Sequence, residues 1–301
     1  MKHLLSVCDV QDQVVQLLDL AAWFKKGKSN DKPLKNKTLA MIFQKSSTRT
    51  RVSFEVGMDQ LGGHALYLST NDLQIGRGEP ISDTAKALSG YVDGIMIRAL
   101  KHEDVVELSE NSSVPVINGL TDLEHPCQAL ADMQTIKEHM GTFEGKMVFV
   151  GDGNNVCNSL LLISAILGLN MTVACPEGYE PDSEIFEKAS KIAKKSDTQL
   201  EITSNIKKAV KNADIIYTDV WVSMGDEEEQ EKRKNDLLPF QVNEELMAVA
   251  NNDAIFMHCL PAIRGQETTE GVIDGHQSVV WDQAENRLHA QKAVMYSLMK
   301  D

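Results

Sequence analysis

The sequence is short of basic residues, closely spaced cysteines and long apolar runs. Its 301 residues include 30 Lys and Arg against 44 Asp and Glu, a formal net charge of −14 that would repel nucleic acid or an anionic membrane. The five cysteines are widely spread without a C-x-x-C pair, so neither a disulfide framework nor a zinc site is expected. The longest apolar run, LLLISAILGL, is too short to span a membrane. We therefore expect a cytoplasmic protein whose partners are small molecules.

Short β-branched segments alternate with longer amphipathic segments along most of the chain. The candidate strands are Thr38–Phe43, Ala65–Ser69, Gly94–Ile97, Val114–Asn118, Met147–Val150, Thr172–Ala174, Asp214–Thr218 and Ala254–His258. Because the chain exceeds the size of one hydrophobic core, this alternation predicts an α/β fold of two domains, each a mainly parallel sheet flanked by helices. The segment HMGTFEG marks the boundary. The first domain would comprise residues 1–140 with a C-terminal helix, 283–301, packing back on it, and the second residues 141–282.

The stretch QKSSTRTR, residues 44–51, concentrates hydroxyl and cationic side chains directly after the first candidate strand. A helix is predicted to begin here, and the first turn of a helix offers unpaired N–H groups and positive partial charge to an anion. Ser and Thr alone would be explained as an N-cap. Capping requires neither Arg49 nor Arg51, so the stretch favours a phosphate site. It lacks the glycines of a P-loop.

The stretch GDGNNVCNSLL, residues 151–161, also lies between a candidate strand and a helix. The dinucleotide fingerprint G-x-G-x-x-G has Val156 in place of its third glycine, and no acidic residue ends the next strand, so NAD binding is not expected. Asn154 and Asn155 are then either amides that contact a polar substrate or ordinary turn residues. The residues themselves leave both interpretations open.

Three further groups of polar residues follow candidate strands: 125–128, Asp219 with 223–225, and 258–261. The carboxyl ends of strands in an open α/β sheet line the ligand crevice. A single buried His or Cys more often fills a core, but the repeated placement favours a binding site.

The motifs SSTRTR followed by SFE, HPCQALAD, DGNN, DVWVSMG and MHCLP occur in this order and at separations that resemble the ornithine branch of the aspartate/ornithine carbamoyltransferase family. The resemblance covers residues 45–287. Its S-T-R-T and H-P-x-Q parts belong to all carbamoyltransferases, whereas D-x-x-x-S-M-G with H-C-L-P resembles the ornithine branch. It implies transfer of the carbamoyl group from carbamoyl phosphate to the δ-amine of L-ornithine, in arginine biosynthesis or its reverse. It also implies a homotrimer or a multiple of trimers, with no metal or other cofactor.

The resemblance further assigns roles to individual residues. It implies that carbamoyl phosphate is bound by Ser47, Thr48, Arg49, Thr50, Gln74, Arg98, His125, Gln128, Cys259, Leu260 and Arg287. It implies that ornithine is held by Asn155, Asp219, Ser223 and Met224, and that Arg98, His125, Cys259 and Arg287 act in catalysis. The charged run at 226–236, which by itself predicts a solvated loop or helix start, would close over bound ornithine.

Two alternatives differ from this interpretation in substrate or in class. A carbamoyltransferase for another amine, such as putrescine, is disfavoured by the D-x-x-x-S-M-G match. A catalytically silent ligand-binding subunit is disfavoured because Arg49, His125, Cys259 and Arg287 all carry the family residue.

Overall fold

The computed structural model describes residues 1–27, 31–222 and 229–300. The chain forms two compact units, the first comprising Met1–Gln134 with Glu285–Asp301 and the second Thr135–Ala284. Each contains one parallel sheet flanked by helices, which confirms the predicted α/β class. Within the described ranges, no helix is both long and apolar enough to cross a bilayer.

The first unit is built on a parallel sheet with the strand order β2-β1-β3-β4. Its strands are β1 Thr38–Phe43, β2 His64–Ser69, β3 Gly94–Arg98 and β4 Val116–Leu120. Its helices are α1 Val14–Lys25, α2 Thr48–Gln60, α3 Ile81–Ser89, α4 His102–Asn111 and most of α5 Pro126–Met140, with 3-10 turns at Val7–Val10 and Ile75–Arg77. The central strands β1 and β3 are almost wholly buried, as expected for a parallel sheet covered on both faces.

The C-terminal helix α12, Val280–Met299, packs on the first unit through its later turns. Asn286 accepts a hydrogen bond from Lys25 of α1 at 2.9 Å, and Lys292 donates one to Gln60 of α2 at 2.8 Å. At Gly57 of α2, an added Cβ would lie 2.8 Å from a methionine methyl group of α12, so glycine permits this close helix packing. The prediction that the last helix packs back on the first domain is confirmed.

The second unit has the strand order β7-β6-β5-β8-β9, again all parallel. The strands are β5 Lys146–Val150, β6 Asn170–Ala174, β7 Leu200–Thr203, β8 Ile215–Thr218 and β9 Ile255–His258. The helices are α6 Asn155–Leu167, α7 Ser183–Ser196, α8 Ile206–Val210, α9 Gln230–Leu237, α10 Glu244–Met247 and α11 Glu270–Ile273, with a 3-10 turn at Leu238–Phe240. Its core includes Val148, Ile216 and Phe256 from the three adjacent strands β5, β8 and β9.

Several elements differ from the sequence-based expectation, most of them at their ends. Strand β7 was not predicted, because its four residues pair only with β6 at the edge of the sheet and remain partly exposed. Strand β4 begins two residues later than expected, after Pro115, which has no N–H for the ladder. Helix α12 begins at Val280 rather than Gln283. Of the charged run at 226–236, the part from Gln230 onward forms α9, and 226–228 lie outside the described residues.

Each sheet contains one point at which the strand order reverses. The chain first adds strands on one side of the first strand of the sheet and then adds the later strands on its other side. In the first unit this point lies between β1 and β3, and in the second between β5 and β8. Ligands of open parallel sheets bind beside such a point, at the carboxyl ends of the strands. The segment 44–51 follows β1 and Arg98 ends β3, whereas 151–155 follows β5 and Asp219 follows β8.

Candidate functional site

The hydroxyl-rich stretch after β1 forms the start of α2, as predicted. Ser47 is the N-cap, with its Oγ accepting a hydrogen bond from the Thr50 N–H at 3.3 Å. The guanidinium of Arg51 lies 3.9 Å from the Tyr67 ring centroid and pairs with Glu55 at 3.4 Å. In the described ranges, by contrast, no protein group pairs with the guanidinium of Arg49. The first turn of α2 therefore combines a positive helix end with one arginine that is available to an anion.

Arg287 of α12 joins α2 and α5 in a buried cluster of polar side chains. Its Nη1 donates to Gln128 Oε1 at 2.6 Å, and its Nη2 donates to Thr50 Oγ1 at 3.2 Å. With the amide of Gln291 turned so that its oxygen faces Arg287, that oxygen accepts from Nη2 at 3.0 Å and Nε at 3.3 Å. Arg287 is only 3% exposed and Gln128 only 1%. The fixed fork of a guanidinium suits this multiple contact and equally suits a phosphate or carbonyl oxygen.

His125 belongs to the same cluster. Burial lowers the pKa of this imidazole well below its usual 6.5, and the positive charges of Arg287 and Arg98 lower it further. His125 is therefore neutral near pH 7 and can donate one N–H without introducing a charge. Four predicted residues from separate parts of the chain, Arg98, His125, Gln128 and Arg287, thus lie together in the first unit.

Two other residues of the predicted donor site have simpler surroundings. Gln74 is exposed, and its carbonyl accepts hydrogen bonds from Arg77 at 2.8 Å and Glu79 at 3.1 Å. These contacts tie Gln74 to its own loop, so its predicted contact with carbamoyl phosphate stays a prediction. Thr48, the first residue of α2, is exposed at the helix start.

Cys127 lies within the HPCQ motif but is a core residue. Its side chain is fully buried and donates to the Asn118 carbonyl at 3.6 Å. Burial raises the pKa of this thiol to about 12, with a small opposing effect of Arg287. A thiol that keeps its proton so firmly is not a nucleophile.

In the second unit, Asp219 is held by three donors directly after β8. Its Oδ1 accepts from Cys259 Sγ at 3.0 Å and from the Val220 N–H at 2.8 Å, and its Oδ2 accepts from Asn154 Nδ2 at 2.8 Å. The carboxylate is 7% exposed. The Cys259 thiol therefore contacts the same carboxylate oxygen as the Val220 N–H. A preorganised carboxylate of this kind is suited to an ammonium group.

Asn154 has the structural role of a turn residue at the start of α6 and also holds Asp219, whereas contact of its amide with a substrate stays a prediction. Its Oδ1 caps α6 by accepting from the backbone N–H groups of Val156 at 3.0 Å and Cys157 at 3.2 Å, while its Nδ2 holds Asp219. Asn155 is the half-buried first residue of α6. At Gly153 a Cβ would lie 2.3 Å from the backbone nitrogen of Pro181, so only glycine fits this turn.

A second hydrogen-bonded network supports Cys259 and Leu260. His258 Nδ1 accepts from the Leu260 N–H at 2.9 Å, so the ring proton resides on Nε2, which lies 3.2 Å from Glu267 Oε1. Both His258 and Glu267 are fully buried. The network holds Leu260 at φ +61°, a left-handed conformation that is rare for leucine. Sequence reasoning did not identify Glu267, because no motif distinguishes it from other surface-type acids.

Asp219, His258 and Cys259 bring potential metal-ligating atoms within 4.8 Å of one another. Each of these side chains is already engaged: both ring nitrogens of His258 are hydrogen-bonded, and Cys259 donates to Asp219. Metal binding by all three would break these contacts, so the arrangement is best described as a hydrogen-bonded cluster.

The remaining predicted ornithine ligands, Ser223 and Met224, lie outside the described residues. On the far side of that gap, α9 is anchored by Arg233, whose Nη1 donates to Asp152 Oδ2 at 2.9 Å. Asp152 directly precedes the Gly153–Asn154 turn. The anchor therefore links α9 to the segment that supports Asp219.

Comparison with known proteins adds independent evidence. Residues 2–138 match the family model described as the aspartate/ornithine carbamoyltransferase carbamoyl-P binding domain, and residues 144–298 match the Asp/Orn binding domain of the same family. An ornithine carbamoyltransferase from Methanothermobacter thermautotrophicus is 67% identical over 100% of both chains. The ornithine carbamoyltransferase structure from Pyrococcus furiosus has a TM-score of 0.96 and 55% identity, covering 99% of this chain and 97% of that one. An anabolic ornithine carbamoyltransferase from Campylobacter jejuni has a TM-score of 0.94 and 44% identity, covering 99% of each chain. The chain belongs to the aspartate/ornithine carbamoyltransferase family.

Proposed function

We propose that this protein transfers the carbamoyl group of carbamoyl phosphate to the δ-amine of L-ornithine, giving L-citrulline and phosphate in arginine biosynthesis. The observation that carries the proposal is the Asp219 carboxylate, held by Asn154 and Cys259 beside the strand-order switch of the second unit. Such a carboxylate can bind the α-ammonium group of ornithine. An acceptor site for aspartate would not need a carboxylate as its main anchor. The names of the full-length relatives support the same acceptor.

Carbamoyl phosphate is assigned to the first domain, residues 1–140 with 283–301. Its phosphate would be bound by Arg49 together with Ser47, Thr48 and Thr50 at the start of α2. Each hydrogen bond to a charged group contributes about 1.5–3 kcal/mol, so a few such contacts suffice for micromolar binding. Gln74 is proposed to contribute from its exposed loop.

The carbonyl of the donor is assigned to Arg98, His125 and Arg287. As the amine attacks the carbonyl carbon, negative charge develops on the carbonyl oxygen, and donors aimed at that oxygen lower the barrier. The lowered pKa of His125 means that it acts as a neutral hydrogen-bond donor. The intermediate then collapses as the bond from carbon to the phosphate oxygen breaks, and the attacking nitrogen releases a proton that the departing phosphate can accept.

Ornithine is assigned to the second domain, residues 141–282. Asp219 would bind the α-ammonium, with Asn155, Ser223 and Met224 contacting the rest of the amino acid and Cys259 and Leu260 next to the reacting groups. The δ-amine must lose its proton before it can attack, and its ordinary pKa lies near that of lysine, about 10.4. Cationic side chains around the donor would favour the neutral amine. We also propose a cytoplasmic homotrimer or multiple of trimers, which rests on the family resemblance.

The test is citrulline formation from carbamoyl phosphate, with ornithine, putrescine, N-acetylornithine and aspartate assayed in parallel. We expect turnover with ornithine and loss of turnover in Arg49→Ala. Turnover with putrescine or aspartate alone would assign a different acceptor. Binding of carbamoyl phosphate without turnover of any amine would instead identify a silent ligand-binding subunit.

A further inference from the structure

The amide of Gln128 is held between one group that only accepts hydrogen bonds and one that only donates them. Its Nε2 donates to Asp132 Oδ1 at 2.8 Å, and its Oε1 accepts from Arg287 Nη1 at 2.6 Å. A carboxylate has no proton to donate and a guanidinium has no acceptor. The orientation of this amide is therefore fixed by its partners, with the carbonyl oxygen facing Arg287.

Asp132 lies one helical turn after Gln128 on α5, a spacing that places both side chains on one face of the helix. Its side chain is fully buried. A buried carboxylate is costly, and beside a cluster proposed to bind an anion it would repel the ligand. Asp132 is thus unsuited to direct contact with phosphate, whereas Gln128, which it holds, can contact a ligand.

If the Nη1 of Arg287 that contacts Gln128 turns to an oxygen of the donor instead, its hydrogen bond to Gln128 is lost. The Gln128 oxygen would then need a new donor, while Asp132 would still prevent the amide from reversing. The carbamoyl group carries an NH2 that can supply this donor. Acetyl phosphate has nearly the same shape but a methyl group at that position, and would leave the buried oxygen without a partner.

On the basis of the proposed function, we propose that Asp132 is a positioning residue that keeps the Gln128 carbonyl oxygen directed at the carbamoyl NH2 and so selects carbamoyl phosphate over acetyl phosphate. A buried acceptor left without a donor weakens binding by about 5- to 150-fold. This range is the contribution to selectivity that we assign to the pair formed by Asp132 and Gln128.

The test uses Asp132→Asn, which preserves shape but allows the Gln128 amide to reverse. The dissociation constants of carbamoyl phosphate, acetyl phosphate and inorganic phosphate are measured calorimetrically without any amine. We expect the preference for carbamoyl over acetyl phosphate to fall about 5- to 150-fold, with phosphate affinity changed less than about twofold. Asp104→Asn is the matched control, because Asp104 accepts from Gln44 Nε2 at 2.8 Å in the same unit, and it should leave the preference unchanged.

An unchanged preference in folded Asp132→Asn would overturn the proposal, and so would equal weakening of all three ligands, which indicates general structural support. If Asp132→Asn fails to fold, Gln128→Met is measured in its place. A preference for carbamoyl over acetyl phosphate that survives the loss of the Gln128 amide also overturns the proposal. Because no amine is present, these results are independent of whether the wild-type protein forms citrulline. Failure of the proposed function would appear separately, as absent citrulline formation in the wild-type protein.

Discussion

Replacement of Asp219 by asparagine should remove the proposed anchor for the α-ammonium of ornithine while nearly preserving side-chain shape. In the wild-type protein both carboxylate oxygens accept, from Cys259, the Val220 N–H and Asn154. An asparagine at 219 has one oxygen and one donor nitrogen. Asn154 cannot reverse to accommodate that nitrogen, because its own oxygen caps α6.

The magnitude follows from the loss of one charge-assisted hydrogen bond to the ligand. Such a bond contributes about 1.5–3 kcal/mol, which corresponds to about 10- to 150-fold in affinity. The mismatched donors in Asp219→Asn should also lower the free energy of unfolding, by about 1–3 kcal/mol. The affinity for carbamoyl phosphate should not change, because the residues that we assign to its phosphate belong to the first unit.

The assay compares two unreactive ligands as inhibitors at saturating carbamoyl phosphate. L-Norvaline is ornithine without its δ-amine, and pentanoate lacks the α-ammonium as well, so the ratio of their inhibition constants isolates the α-ammonium. We expect this ratio to fall about 10- to 150-fold in Asp219→Asn. Cys259→Ala, which removes a donor to Asp219 but keeps the carboxylate, should retain the preference. A preference for L-norvaline that is unchanged in Asp219→Asn would refute the assignment.

Three further predictions concern other parts of the structure. Arg49→Ala should abolish the binding of phosphate and carbamoyl phosphate that calorimetry can measure. Arg51→Ala should not, because Arg51 is engaged by Tyr67 and Glu55. Equal effects of the two substitutions would contradict the assignment of phosphate binding to Arg49 alone of this pair. Because the folded-state pKa of His125 lies well below 6.5, the unfolded chain gains a proton at this residue as the pH falls below that value while the folded chain does not. The contribution of the neutral His125 to the free energy of unfolding is therefore full above about pH 6.5 and is lost on acidification. His125→Gln should make the free energy of unfolding less acid-sensitive by up to about 1.4 kcal/mol per pH unit. An unchanged dependence of this free energy on pH, measured by denaturant titrations, would disprove the lowered pKa. Arg233→Ala should destabilise the protein by up to about 3 kcal/mol because it removes the ion pair with Asp152. This loss would be seen as a lower unfolding temperature, whereas carbamoyl phosphate binding should be spared. A stability equal to wild type would mean that the pair contributes nothing.

The buried strands could be predicted from sequence because both faces of a parallel strand are covered, which produces continuous apolar runs such as TLAMIF and MVFV. Strand β7 could not, since its partly exposed edge position imposes no such pattern. The start of α2 at Thr48 was predictable because Ser47 has a local function, capping.

Long-range contacts account for most of what the sequence could not predict about the site. Nothing in the DGNN turn indicates that Asn154 lies 2.8 Å from the carboxylate of Asp219, which is 65 residues away. Asp132 stands within the HPCQALAD motif at the right spacing from Gln128, but sequence does not reveal that it is fully buried. Glu267 was missed for the same reason, because an acid is identified as part of a network only when its partner is known.

Asn154 uses the two ends of one amide for two unrelated purposes, the start of a helix and the orientation of the carboxylate that we propose binds ornithine. A substitution to any residue other than a capping one such as Asp, Ser or Thr removes both the donor to Asp219 and the helix cap, so selection on acceptor preference has few ways to act on this residue without a cost to the fold. Descendants of such a protein that adopt a new amine would have to acquire it elsewhere. The turn containing Asn154 should accordingly outlast changes of substrate during divergence.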